Sequence, residues 1–209
     1  MRLVVTGATG FIGTPLCARL LEQGHTLTLF TRGSPRDAGS AAKRWVHWTP
    51  GALREWGTAV NGADGVINLA GEPIAAKKWT HLQRHRIETS RVDGTNSLVQ
   101  AIARAAVKPK FLISASAVGY YGPRGDETVT EETPPGNDFL SFVCQQWEEE
   151  AKKAEELGLR VARLRTGIVL GSGGGALKKM AKPFKFFVGG PLGSGLKQII
   201  QQTFQKKLP

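Results

Sequence analysis

Seven residues near the start, Gly7-Ala8-Thr9-Gly10-Phe11-Ile12-Gly13, carry three glycines at a spacing suited to holding an anion. They follow the apolar run Leu3 to Thr6 and lead directly into an amphipathic stretch, so they read as a strand-to-helix turn. Gly7 permits the tight turn, Gly10 lets the backbone come close to a pyrophosphate with no Cβ in the way, and Gly13 lets the helix pack against the strand. The anion would then meet free N–H groups at the positive end of a helix dipole. This predicts dinucleotide binding. The next apolar run ends in Phe30-Thr31-Arg32, with no acid before Asp37. A site for NAD places Asp or Glu there to bind the ribose 2′-hydroxyl, whereas a guanidinium pairs with a 2′-phosphate through charge-assisted hydrogen bonds. Arg32 therefore predicts NADP(H); the other possibility is a solvated loop residue.

Positioning these groups requires a sheet whose strands all end on one edge. Short apolar runs over Leu3 to Thr6, Thr26 to Thr31, Trp45 to Thr49, Gly65 to Leu69, Phe111 to Ser114 and Arg160 to Arg165 alternate with longer amphipathic stretches. The helix candidates are Ile12 to Gln23, Trp79 to Ala105 and Phe139 to Leu157, the first and third closed by Gly24 and Gly158. That rhythm predicts an α/β, doubly wound Rossmann-type parallel sheet in the order 3-2-1-4-5-6 with helices on both faces. Two loops rich in Gly, Pro and charge, Gly33 to Lys43 and Gly122 to Asp138, fall where such enzymes keep chemistry. The binding domain is expected over residues 1–171, with an abbreviated substrate-side segment over 172–209.

Composition narrows the function classes. The 209 residues have room for one sizeable domain, and no apolar run approaches the roughly 18 residues of a membrane span. The 28 Lys and Arg against 17 Asp and Glu give +11, but the cations are scattered and lack interleaved aromatics. The expectation is a field that attracts an anionic cofactor or substrate, without nucleic acid or membrane as partner. Cys17 and Cys144 are too few for a disulfide framework, and no signal or transit segment precedes the first strand, which predicts the reducing cytoplasm. His81 and His85 share a helical i,i+4 spacing, but Leu82 stands where a zinc-protease glutamate would be, so no metal is expected.

Several blocks together resemble the epimerase-family (YfcH-like) group of atypical short-chain dehydrogenase/reductases. They are G-A-T-G-F-I-G at Gly7 to Gly13, F-T-R at Phe30 to Arg32, N-L-A-G-E at Asn68 to Glu72, S-R-V-D-G-T at Ser90 to Thr95, S-A-S-A-V-G-Y-Y-G at Ser114 to Gly122 and R-T-G-I-V-L-G at Arg165 to Gly171. The resemblance spans Met1 to about Gly195 and departs at Leu196 to Pro209, a polar tail expected to be loosely docked. It implies a cofactor-contacting set of Gly7, Thr9, Gly10, Phe11, Ile12, Gly13, Thr31, Arg32, Leu69, Ala70, Gly71, Arg91 and Val169. Asn68 to Gly71 would lie under the cofactor ribose. Arg91 stands where related proteins often carry an active-site asparagine; it would hold a cofactor phosphate or substrate anion, or else form a surface ion pair.

The proton-transfer machinery is incomplete by the superfamily's usual pattern. Y-x-x-x-K uses a lysine to favour tyrosine ionisation, yet neither Tyr120 nor Tyr121 has a lysine four residues on. Counting back from Glu148 places Leu140 and Cys144 at the two positions. Ser116 would polarise a substrate carbonyl or serve as a structural turn, and Tyr120 and Tyr121 are the candidate acids. Two functions follow: an NADP-dependent oxidoreductase or nucleotide-sugar-epimerase-like enzyme acting on a small molecule, or a non-catalytic NADP(H)-binding sensor or scaffold.

Overall fold

The apolar runs become strands β1 (Arg2–Thr6), β2 (Thr26–Thr31), β3 (Lys43–His47), β4 (Gly65–Asn68), β5 (Phe111–Ala117) and β6 (Arg160–Thr166). They pair in parallel in the order β3-β2-β1-β4-β5-β6, as the sequence predicts. The computed structural model describes residues 1–34, 40–50, 55–75, 77–171 and 174–184. The tail Leu196 to Pro209 lies outside them, so the expectation about it does too. Among the described residues no helix is long and apolar enough to cross a membrane.

Strand alternation divides the core. Leu3 and Val5 of β1 face helix α1 (Gly13–Glu22), packing with Leu27, Leu29, Ile67 and Cys17. Val4 faces the opposite side, where Phe30, Val66 and Leu112 meet Leu98 and Ile102 of helix α3 (Val92–Arg104) and Ala151 of helix α4 (Phe139–Lys152). Phe30, Trp48 and Trp56 close the outer corner of this layer, with ring centroids 5.6 to 6.1 Å apart. Burial on both faces is why the central strands read as continuous apolar runs.

The single helix expected over Trp79 to Ala105 is instead two, α2 (His81–Thr89) and α3. Side-chain donors cause the break. In an unbroken helix the Arg91 N–H would bond to the Ile87 carbonyl, but that carbonyl accepts from Ser90 Oγ at 3.1 Å and Arg91 Nη1 at 2.9 Å, while the Arg91 N–H turns to Glu88. Helix α4 ends at Lys152, and a 3-10 turn over Glu155–Leu157 completes the expected span. Beyond β6, the short strand β7 (Leu170–Gly171) bridges antiparallel to Gly174 and Gly175, and helix α5 (Gly175–Phe184) follows, an element not anticipated from the sequence.

A polar network stands among these apolar layers at the carboxyl ends of β1, β4 and β5. Thr6 Oγ1 donates to Asn68 Oδ1 at 2.7 Å, and Asn68 Nδ2 donates to Thr95 Oγ1 at 2.8 Å and Ser114 Oγ at 3.4 Å. Thr6 Oγ1 also accepts the N–H groups of Leu69 and Ala70, both at 3.2 Å. Asn68 is 1% exposed, so deleting its amide strands buried partners without water to replace it. Asn68→Ala is expected to cost about 2 to 3 kcal/mol and lower the thermal midpoint by roughly 5 to 10 °C, measured by circular dichroism.

Candidate nucleotide site and its polar neighbours

The first turn leaves β1 at Gly7, whose φ of +69° lies in the left-handed region that favours glycine. A Cβ there would come within 2.6 Å of the Leu69 carbonyl carbon and oxygen, so Gly7 also lets the exits of β1 and β4 touch. Gly13 differs from expectation in what it touches. Its Cβ would fall 2.2 Å from the Gly7 carbonyl oxygen and 2.9 Å from Ala8 Cα, so it closes the turn on itself rather than docking the helix on a strand. A Cβ on Gly10 meets only the Gly7 oxygen, at 3.1 Å, leaving its outer side open. Thr9, Gly10 and Ile12 are exposed, no side chain caps the start of α1, and its first turn holds no acid. The N–H groups of Gly10 and Thr14 are bonded to the carbonyls of Gly7 and Gly10, and Pro15 has none, so the donors this turn offers to a pyrophosphate are those of Phe11, Ile12 and Gly13, at the positive end of the α1 dipole.

Phe11 is tied elsewhere. Cβ atoms on Gly171, Gly174 and Gly175 would lie 2.9, 3.4 and 2.7 Å from its ring, so the glycines after β6 form the surface on which this ring rests. Val169, on the connection into β7, is 41% exposed.

The exits of β2 and β4 form the other half of the site. Thr31 Oγ1 accepts the Gly33 N–H at 3.2 Å and shapes the turn that presents Arg32. Arg32 Nη1 lies 3.9 Å from Glu72 Oε2, beside a cavity of about 400 Å³ lined also by Arg86, Ser90 and Asp93. Leu69 and Ala70 are held by Thr6, and a Cβ on Gly71 would sit 3.0 Å from Arg91 Cζ. Among the described residues Arg91 makes no ion pair. Its Nη1 donates to the carbonyls of Glu72 and Ile87, and its guanidinium stacks on the Trp147 ring with Cζ 5.2 Å from the centroid. Burial pushes this guanidinium below its ordinary range, against the opposing influence of Cys144 and Glu72. These contacts make Arg91 the brace of the β4 exit.

Ser116, Tyr120 and Tyr121 come together around a residue that served only as a spacing marker in the sequence. Glu148 of α4 accepts the Ser116 hydroxyl at 2.5 Å and two bonds from Arg165, Nε to Oε1 and Nη2 to Oε2, each 2.8 Å. An ionised carboxylate only accepts, so the Ser116 proton is committed to Glu148 and is not offered to a carbonyl in this arrangement. Arg165 Nη1 also donates to the Tyr121 hydroxyl at 3.1 Å and to the Glu131 carbonyl at 2.9 Å, and its Cζ lies 3.4 Å from the Tyr120 ring centroid. The Tyr120 carbonyl is fixed by the Gly136 N–H and the Ser141 hydroxyl, anchoring the loop from Gly122 to Asp138. Leu140 and Cys144 occupy α4 opposite Gly119, and Cys144 lies beside Ser116 with its thiol pushed up by burial.

Burial alone would raise the Glu148 carboxyl, but the hydrogen bonds from Arg165 and Ser116 and the charges of Arg165 and Arg163 outweigh it and hold it below the ordinary range. A sequence signal for this group exists in retrospect. Glu148 is the single acid within the buried stripe Val143, Cys144, Trp147, Glu148 and Ala151, and a carboxylate there demands a cation.

The pattern that defines the NAD dependent epimerase/dehydratase family matches residues 3–184. The chain is 41% identical over 198 residues to the chloroplastic epimerase family protein SDR39U1 homolog of Arabidopsis thaliana, covering 93% of this chain and 56% of that protein. It is 40% identical over 196 residues to an epimerase family protein of Staphylococcus haemolyticus, covering 93% and 64%. Among solved structures, the nucleoside-diphosphate sugar epimerase of Corynebacterium glutamicum superposes with a TM-score of 0.78 at 36% identity, over 93% of this chain and 39% of that one. Human epimerase family protein SDR39U1 with NADPH superposes with a TM-score of 0.77 at 33% identity, over 93% and 63%. The chain thus spans less than two thirds of the length of these relatives.

Two measurements test the site. Gly10→Val is expected to leave the protein folded, since only one backbone oxygen lies near the new Cβ, while abolishing NADPH binding in a fluorescence titration. Arg165→Met strands a buried carboxylate and is expected to cost about 3 to 5 kcal/mol near neutral pH. Because the Glu148 carboxyl is lowered in the folded state, the pair stabilises fully above the ordinary carboxylate range and loses that contribution as pH falls through the lowered value. Urea unfolding from about pH 7 to pH 3 should therefore show the deficit of Arg165→Met shrinking toward acid.

Proposed function

Because the chain belongs to the NAD dependent epimerase/dehydratase family, we propose that it binds NADP(H) and acts as an NADP-dependent oxidoreductase or nucleotide-sugar-epimerase-like enzyme on a small molecule. The observation that carries the choice of cofactor is Arg32. Its guanidinium stands at the exit of β2, 67% exposed at the rim of the cavity, where a 2′-phosphate would project. The human relative solved with NADPH supports the same choice. The Gly7 to Gly13 turn would hold the pyrophosphate, with Thr9, Phe11 and Ile12 contributing backbone there. Leu69, Ala70 and Gly71 would lie under the ribose with Arg91 bracing them, and Val169 would border the nicotinamide side.

The bound nicotinamide would supply the hydride. This chain supplies the surroundings: Ser116, with its proton on Glu148, keeps lone pairs for a substrate hydroxyl, and Tyr120 and Tyr121 are held against Arg165 as the nearest phenols. The excess of positive charge favours approach of the anionic cofactor, and the scatter of the cations without interleaved aromatics argues against nucleic acid as the partner. Burial of both unpaired cysteines is compatible with a reducing cytoplasm.

One observation favours a second reading, an NADP(H)-binding protein without turnover. Leu140 and Cys144 stand at the positions of the usual tyrosine and lysine, and the cation nearest the phenols is locked to a carboxylate. A panel of carbonyl, hydroxyl and nucleotide-sugar substrates followed by NADPH absorbance and by product analysis separates the two, since an oxidoreductase consumes or forms NADPH, an epimerase converts its substrate with no net change in NADPH, and the sensor does neither.

Calorimetric titration is expected to show NADPH bound at least about tenfold more tightly than NADH, with Arg32→Ala erasing the difference. Equal affinities in the unmodified protein would overturn the cofactor assignment.

A further inference from the structure

The cavity beside the β2 exit is lined by two cations, Arg32 and Arg86, and by two carboxylates, Glu72 and Asp93. A pocket serving a phosphate alone gains nothing from acids, because each repels the dianion. Glu72, moreover, is held there by its backbone. Its N–H donates to Ser90 Oγ at 2.9 Å, and its carbonyl accepts from Arg91 Nη1 at 3.1 Å, so the residue is pinned on both sides. Its carboxylate is largely covered, 18% exposed, and lies 3.9 Å from the Arg32 guanidinium.

We infer that Glu72 is an internal competitor for the 2′-phosphate: its carboxylate occupies Arg32 in the free protein and yields it when NADP(H) binds, so that Glu72 sets how strongly NADPH is preferred over NADH. The inference rests on Arg32 being the 2′-phosphate ligand. At 3.9 Å the two share a coulombic contact and no hydrogen bond, so a phosphate arriving at Arg32 gives up that attraction and then sits close to the carboxylate. A ribose 2′-hydroxyl breaks nothing. It carries no charge to be repelled, and it can donate to Glu72 while Glu72 still holds Arg32. The penalty therefore falls on one cofactor and narrows a discrimination that Arg32 alone would make wider. The backbone pins matter because they keep the carboxylate at the rim instead of letting it swing into solvent.

The test is Glu72→Gln in the full chain, titrated calorimetrically with NADPH and with NADH at low and high salt, beside Arg32→Ala. Removing the charge is expected to tighten NADPH by about three- to tenfold and to leave NADH within about twofold. The gain should shrink as ionic strength rises, because the competition is coulombic and one partner is exposed. Glu72→Ala should move NADPH in the same direction, and it stands in if the glutamine variant does not fold. An unchanged NADPH affinity, or a loss of NADH affinity larger than any gain for NADPH, would overturn the inference; the latter would make Glu72 a ribose ligand. Arg32→Ala distinguishes the failures. If it leaves the ratio of the two affinities untouched, the assignment of Arg32 itself fails. If it collapses the ratio while Glu72→Gln changes nothing, only the competition fails.

Discussion

At the carboxyl edge of the sheet, β1 and β4 end at the same level, and one threonine hydroxyl holds both exits. Thr6 Oγ1 donates to Asn68 and accepts from the two N–H groups that follow it, Leu69 and Ala70, while Gly7 lies so close to Leu69 that no Cβ fits between them. The turn from β1 can then start at full sheet height, and α1 begins with its free donors exposed beyond it. The β4 exit, steered by the same hydroxyl, runs to Gly71 and Glu72, where Arg91 and Ser90 fix its backbone. The glycine turn after β1 and the Glu72 carboxylate beside the cavity are therefore placed relative to each other by a hydrogen bond between two uncharged side chains. Such a bond withstands changes in pH and salt that would loosen an ion pair in the same role.

Two arginine–carboxylate pairs stand near this edge, and burial gives them opposite meanings. Arg165 and Glu148 meet through two short bonds with side chains 18% and 6% exposed, so neither can leave without stranding the other. That pair fixes Ser116 and both tyrosines. Arg32 and Glu72 meet at 3.9 Å with Arg32 67% exposed. Water and salt weaken that contact, and the guanidinium can change partners. Residues of the same two types thus build a rigid frame on the α4 side and an exchangeable contact at the rim.

The glycine turn and the Arg32 position were legible because each is local, a spacing of glycines and a charge at the end of a run, and the sheet order was legible because strands alternating with helices leave few parallel arrangements. The corrected boundaries are those where side chains took over backbone partners. Ser90 and Arg91 interrupt a stretch that reads as continuous helix, since their donors claim the Ile87 carbonyl. The polar frame around Glu148 was not legible for a different reason. Arg165 is separated from it by a turn and a strand, and Ser116 by a long loop, so their meeting depends on the register of β5 with β6, which places Ser116 opposite Arg165. The role expected for Ser116 presumed a free proton, and only the folded arrangement shows the carboxylate that takes it.

The two cysteines lie on opposite sides of the sheet. Cys17 lies on the buried face of α1, and Cys144 lies in α4 against Ser116 and Gly119. Both are unpaired and buried, and burial raises both thiols above their ordinary range, so reagent attack waits for the covering layer to open. Each thiol is in consequence a clock for one layer. Its labelling rate follows the opening of α1 at Cys17 and of α4 at Cys144, and the difference between the two rates measures how far the halves of the molecule breathe independently.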